Sequence, residues 1–304
     1  ITEIMSLDDA NKIIRTLDDS VAEFVKDLPL AEQKIWERVQ GLIKKLETGP
    51  MGNVVNSVAN LRLLTEINKE INGIVLNDDY KAKVEKFTSV FSDLETLNNR
   101  YLASVFDKFK PNKVLKELTK ASVDITIDQL QETGVTSSLA SELKDILKQN
   151  ITSGGSYADL TEQLRTSILG GPEEDGGLSR YARTFTTDAI NQYNATYTKQ
   201  VSSDLGVKWY RYTGSNMETT RPFCEHLTKK DGGYFHVDEI PGFLNGIVGT
   251  DTVPIYKKYD LPQGMNEATT ADNFLILRGG YNCGHQAFPV SSASVPASLR
   301  SKFQ

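Results

Sequence analysis

The sequence of 304 residues predicts a mainly α-helical protein that closes in a small α+β module. Three observations predict it. Apolar residues recur at helical spacing over roughly the first two hundred positions. Six of the ten prolines fall in the last hundred. Both cysteines and all three histidines lie between Cys224 and His285.

The helical region can be read element by element. Leu28-Pro29 ends a first helix, and "ETGPMGN" (47–53) breaks a second, because proline disfavours helix in the residue before it. Val54, Val58, Leu61, Leu64, Ile67, Ile71 and Ile74 step by three and four, as one apolar face does. "NDD" (77–79) caps a helix starting near Tyr80, its side-chain oxygens accepting from free backbone N–H groups. That helix carries Val84, Phe87, Phe91, Leu94, Tyr101 and Val105, with Asn98 as the one polar residue in the seam. Such stripes are expected to face the core of an antiparallel bundle. "FKPNK" (109–113) makes a turn, "TSGGS" (152–156) separates two more helices, and "GGPEEDGG" (170–177) reads as an exposed loop or hinge. A last long helix covers about 179–204, and Phe185, Tyr193 and Tyr197 on it are expected to face a core.

Beyond it the pattern changes. "KWYRYTG" (208–214) alternates bulky and polar residues, and "YFHVDEI" and "NFLILRGG" also read as short strands. "RPFCEHLTKK" reads as a helix after its proline, and 242–272 as a long loop. The expected division is a helical part over 1–150 and a second part over 151–304.

Composition narrows the function. Hydrophobic content of 39% and charged content of 24% are ordinary for a globular protein, and a net charge of -6 argues against a mainly nucleic-acid-binding surface. No apolar run approaches the roughly 18–20 residues that span a bilayer. No basic-then-apolar segment opens the chain, and Ile1 in place of methionine implies processing or a longer precursor. Two cysteines make no disulfide framework, so assembly in a reducing cytoplasm is expected.

The cysteines and histidines leave several chemistries open. On an extended chain Cys283 and His285 share a face, whereas Cys224 and His226 on a helix point about 200° apart. Cys224, His236, Cys283 and His285 could supply four zinc ligands, although neither half has Cys-x2-4-Cys spacing. A Cys224–Cys283 disulfide and simple packing are the other readings. An enzyme would use Cys224 as nucleophile and His285 or His236 as base, oriented by Asp238 or Glu239. No phosphate-binding loop is present: "GGPEEDGG" lacks the required lysine, and its acidity repels phosphate.

The order of segments resembles the phage head morphogenesis family, the Mu F-like minor head proteins. The resemblance covers about 155–290 and rests on Ala182, Arg183, Thr184 and Asn191 on a helix, then Trp209 on a strand. Arg221 and Cys224, Gly233 and Phe235, and finally Asn282, Cys283, His285 and Pro289 follow. Leu227 stands where the family often has a second cysteine, Gly284 where it has arginine, and His285 where it has the last cysteine. The resemblance implies a minor head (capsid) protein of a tailed bacteriophage, acting in head morphogenesis without enzymatic activity or cofactor. It would dock on the portal protein and major capsid protein at the capsid interior or portal vertex, beside packaged DNA. Assembly would occur in the bacterial host cytoplasm. Residues 1–150 would bind partners, and Arg183, Asn191, Trp209, Arg221, Cys224, Asn282, Cys283 and His285 would hold the module together. The alternatives are a bound zinc ion and a virion-carried nuclease- or transferase-like enzyme.

Overall fold

The computed structural model describes the backbone of residues 2–303 and the side chains of 8–131 and 133–303. Helix takes up 66% of it and strand 9%, so the chain is mainly α with a C-terminal α+β module. The chain forms two compact units, but they do not follow a linear division near residue 150. One unit gathers Ile1–Asp19, Val90–Ser122 and Thr187–Gln304, and the other gathers Ser20–Ser89 and Val123–Thr186. All four crossings fall inside helices: α1 (Thr2–Val25), α4 (Asp78–Val105), α5 (Lys113–Asp128) and α8 (Gly177–Leu205). Three separate stretches of sequence therefore make up the first unit and two the second. Among the described residues no helix is long and apolar enough to cross a membrane.

The helical unit is built on α2 (Leu28–Ile43), α3 (Val58–Val75), α6 (Val135–Ser153) and α7 (Tyr157–Leu169), with one π-helical turn over Gln129–Thr133 before α6. α2 packs on α3 and α7, and α6 packs on the same two. Ile35, Val39, Ile67, Ile71, Leu143, Leu147, Leu160 and Leu164, spaced by helical turns, fill the centre. Local chemistry sets the helix ends. Ser57 and Ser156 accept from the N–H groups of Asn60 and Asp159. Gly154, at φ +68°, closes α6 in the left-handed conformation that glycine adopts without a Cβ clash.

The buried face of α3 is rotated from the expected stripe. Asn60, Leu63, Ile67, Ile71 and Ile74 are buried, while Val58 and Leu61 are exposed. Asn60 explains the shift. Its amide donates to the carbonyls of Glu47 and Val55 and accepts from the Glu47 N–H, so a polar residue occupies the inward position.

In the second unit an antiparallel sheet runs in the order β2 (Tyr234–His236), β1 (Trp209–Thr213), β7 (Gln286–Pro289). Tyr210 and Tyr212 face one side with Phe235 and Ala287, within a core that also holds Phe223, Leu227, Phe243 and Phe274. Trp209 faces the other side with His236, its register partner. The covering segments are α9 (Pro222–Lys229), α10 (Ile240–Leu244), α11 (Phe274–Leu277) and α12 (Ala297–Arg300). The region expected to be a long loop carries two small hairpins, β3 (Ile247–Val248) with β4 (Asp251–Thr252) and β5 (Ile255–Tyr256) with β6 (Leu261–Pro262). "NFLILRGG" is not a strand: residues 274–277 form α11, and the Arg278 side chain takes up the helix-end carbonyls of Leu275 and Ile276.

A line of buried amides joins α4, α8 and β7 within this unit. Asn98 donates to Asn194 at 2.8 Å, Asn194 donates to Gln286 at 2.9 Å, and Gln286 donates to Asn191. The polar residue in the α4 seam thus begins a network that fixes which face of α8 meets the sheet. Tyr101, one turn further on, donates to the carbonyl of Pro289 at 2.8 Å.

Candidate functional site

The site lies where α9, the end of β1 and the 279–285 loop meet. Pro222 opens α9, a position where its missing N–H costs nothing. The helix then turns Phe223, Cys224 and Leu227 inward. His226 points elsewhere, as helical geometry requires, and its Nδ1 lies 3.3 Å from the exposed Asp251 carboxylate.

Two arginines hold the loop by its carbonyl oxygens. Arg221 donates to Gly279 O at 2.7 Å and also to Tyr281 O. Arg278, 2% exposed, donates through Nε to His285 O at 2.7 Å. Asn282 adopts φ +55°, and its N–H donates to the Asp188 carboxylate of α8 at 2.7 Å. Burial pushes the Asp188 carboxyl above the usual carboxylate range, against the opposing pull of that N–H and of Arg221.

This frame brings Cys224, Cys283 and His285 together, all buried, with their ligand atoms within 4.8 Å of one another. The sulfurs are 3.7 Å apart, and Cys283 Sγ is 4.0 Å from His285 Nδ1. An S–S bond is about 2.0 Å long, so these are two separate thiols. Tyr212 Oη lies 3.3 Å from Cys224 Sγ and 3.8 Å from Cys283 Sγ, and its ring stacks on His285 at an interplanar angle of 6°. A hydrogen bond from Cys224 holds the Cys283 thiol well below its ordinary range, with His285 and Arg278 adding to the effect, and the same bond pushes Cys224 up. Burial pushes the Tyr212 hydroxyl up as well. Gly279 passes so close that a Cβ there would lie 2.1 Å from Cys283 Sγ and 2.8 Å from Cys224 Sγ.

The remaining predicted residues fall elsewhere or play other parts. His236 is not in the cluster, which corrects the four-ligand set. Strand alternation turns it to the Trp209 face, where it stacks on Phe303 at 4.6 Å and accepts through Nδ1 from the Asp238 N–H. Trp209 packs there too, against His236 and Phe303. Arg183 belongs to the helical unit and pairs with Asp175 at 2.9 Å near the surface. Asn191 ends the amide line and donates to Thr187 O. Gly284 does not use glycine's left-handed freedom, and a Cβ there would meet only Asp18 Oδ1, at 3.6 Å.

Tyr212, Asp188, Asn216, Arg278, Gly279 and Gln286 carry no role in the sequence pattern. Alternation along β1 would have put Tyr212 on the core face, but only the tertiary pairing reveals what it touches there.

No family model, no curated protein and no solved structure matches this chain.

Proposed function

We propose that the chain is a minor head protein of a tailed bacteriophage that docks on the portal and capsid interior, where its C-terminal module acts as a brace. One observation carries the reading. Asn191, Arg221, Cys224, Asn282, Cys283 and His285, six of the eight residues that the resemblance implies hold the module, are gathered around one buried junction although they span almost a hundred positions of sequence. Arg183 and Trp209 lie elsewhere. The contacts between segments at that junction are fastenings: a guanidinium to loop carbonyls, a carboxylate to a loop N–H, an amide to an amide. Cys224 and His285 are 2% and 6% exposed, which suits holding a fold better than meeting a substrate. The enzyme alternative keeps one of its two candidate bases, His285, beside Cys224, while His236 stacks on Phe303; the burial of the cluster is what weighs against it.

Quantitative mass spectrometry of purified particles tests the proposal. The expected result is this chain at a fixed, low ratio to portal subunits. Heads that assemble normally and lack the chain would overturn it.

A further inference from the structure

We infer that Cys224, Cys283 and His285, with Tyr212 at the fourth corner, form a binding site for a thiophilic divalent cation of the zinc class. The inference stands on the local geometry and does not depend on the head-protein reading.

The distances fit a tetrahedron. With bonds of about 2.3 Å to sulfur and about 2.0–2.1 Å to nitrogen or oxygen, its edges are about 3.8 Å between sulfurs, about 3.6 Å from sulfur to nitrogen and about 3.5 Å from sulfur to oxygen. The sulfurs stand 3.7 Å apart, Cys283 Sγ is 4.0 Å from His285 Nδ1, and Tyr212 Oη is 3.3 and 3.8 Å from the two sulfurs. All three Cys and His donor atoms fall within 4.8 Å of each other, so small side-chain rotations close the set. The absent side chain of Gly279 keeps the space beside both sulfurs clear.

A chain of hydrogen bonds fixes the imidazole in the form a metal needs. The Thr228 hydroxyl donates its one proton to the carbonyls of Cys224 and Glu225, at 2.9 and 3.0 Å. Its oxygen is therefore an acceptor towards Asn216 Nδ2, 3.3 Å away. That turns the Asn216 amide so that Oδ1 faces His285 Nε2 at 3.1 Å. A carbonyl only accepts, so Nε2 carries the proton and Nδ1 presents a lone pair to Cys283. Metal-bound histidines are held in this manner, with the second nitrogen donating to a carbonyl or carboxylate. Simple packing of two thiols against a ring explains the burial but gives no reason for a directed chain starting at the Cys224 carbonyl and ending at the imidazole. Binding exchanges the thiol protons for the ion: two S–H bonds break, two sulfur–metal bonds form, and those protons leave to solvent, while His285 Nδ1 and the Tyr212 oxygen each add a lone pair and the phenol keeps its proton.

The test uses the full chain, stripped with chelator and titrated with Zn2+ and, separately, with Co2+ as a spectroscopic probe. One equivalent of Zn2+ should bind, and Co2+ should give thiolate-to-metal charge-transfer absorption together with the strong visible bands of a tetrahedral site. Cys283→Ser should remove most of the charge transfer. Asn216→Leu leaves every ligand in place and should weaken Zn2+ binding about 10–100-fold; this variant decides the matter if Cys283→Ser fails to fold. Absence of charge transfer in the folded wild-type chain would overturn the inference. So would thiols equally reactive with and without Zn2+, or a Zn2+ affinity that Asn216→Leu leaves unchanged.

Discussion

Gly279→Ala would probe the junction with one methyl group. The new Cβ would lie 2.1 Å from Cys283 Sγ and 2.8 Å from Cys224 Sγ, where heavy-atom contacts normally begin at about 3.5 Å. Backbone conformation adds nothing to the cost, because Gly279 is outside the left-handed region. Neither side can yield cheaply: Arg221 holds the Gly279 carbonyl at 2.7 Å, and both sulfurs are buried. Overpacking of this kind costs about 1–3 kcal/mol, and two simultaneous collisions argue for the upper end. Urea unfolding followed by tryptophan fluorescence, in chelator so that metal plays no part, measures the loss. Gly171→Ala is the control: nothing lies within 4 Å of its Cβ, and it should be neutral or stabilising by about 0.4–1 kcal/mol. The deciding arm repeats Gly279→Ala in a Cys283→Ala background, where the closest collision is gone while those with Cys224 Sγ at 2.8 Å and the residue-283 Cβ at 2.9 Å remain, and the cost should fall by about 1 kcal/mol. An equal cost in both backgrounds, or a loss within about 0.5 kcal/mol of zero in the parent, would refute the packing argument.

Two further outcomes follow from buried polar groups. Asn194→Leu removes the acceptor of the Asn98 amide and the donor to Gln286, so thermal unfolding should report a loss of about 2–4 kcal/mol; a loss under about 1 kcal/mol would mean the amide line does not constrain the packing. Glu32, in the helical unit, accepts from the Ser179 N–H at 2.7 Å, yet burial raises its pKa above the model-compound value of 4.5. The folded state therefore binds this proton more tightly than the unfolded state, and the stability present below that value declines as pH rises through the window up to the folded pKa. Glu32→Gln keeps an acceptor and should flatten this decline, measured as urea midpoints from about pH 4 to pH 8; an unchanged slope would refute the assignment.

Much of the fold was legible because one periodicity dominated it. The α4 stripe is buried from Val84 to Tyr101, Asn98 included, and Asn77 caps that helix as read. Legibility failed where a polar residue took an inward place. Asn60 on α3 satisfies loop carbonyls, so counting apolar residues turned the face the wrong way. It failed again at residues 274–277, a run of four apolar residues too short for periodicity to separate helix from strand. At the site, residue types alone pointed to Cys224, Cys283 and His285. Excluding His236 required the register that pairs it with Trp209, and finding Tyr212, Asn216 and Arg278 required contacts between segments that no local pattern encodes.

The sheet order also sets a schedule for synthesis. β1 is the central strand, and β2 reaches one of its edges soon after it is made. The other edge waits for Gln286, which follows Thr213 by 73 residues. At about 5–20 residues per second the nascent chain carries an unpaired strand edge for about 4–15 s. Bare edges recruit other chains, so these seconds carry a risk of aggregation that a holding chaperone would lower.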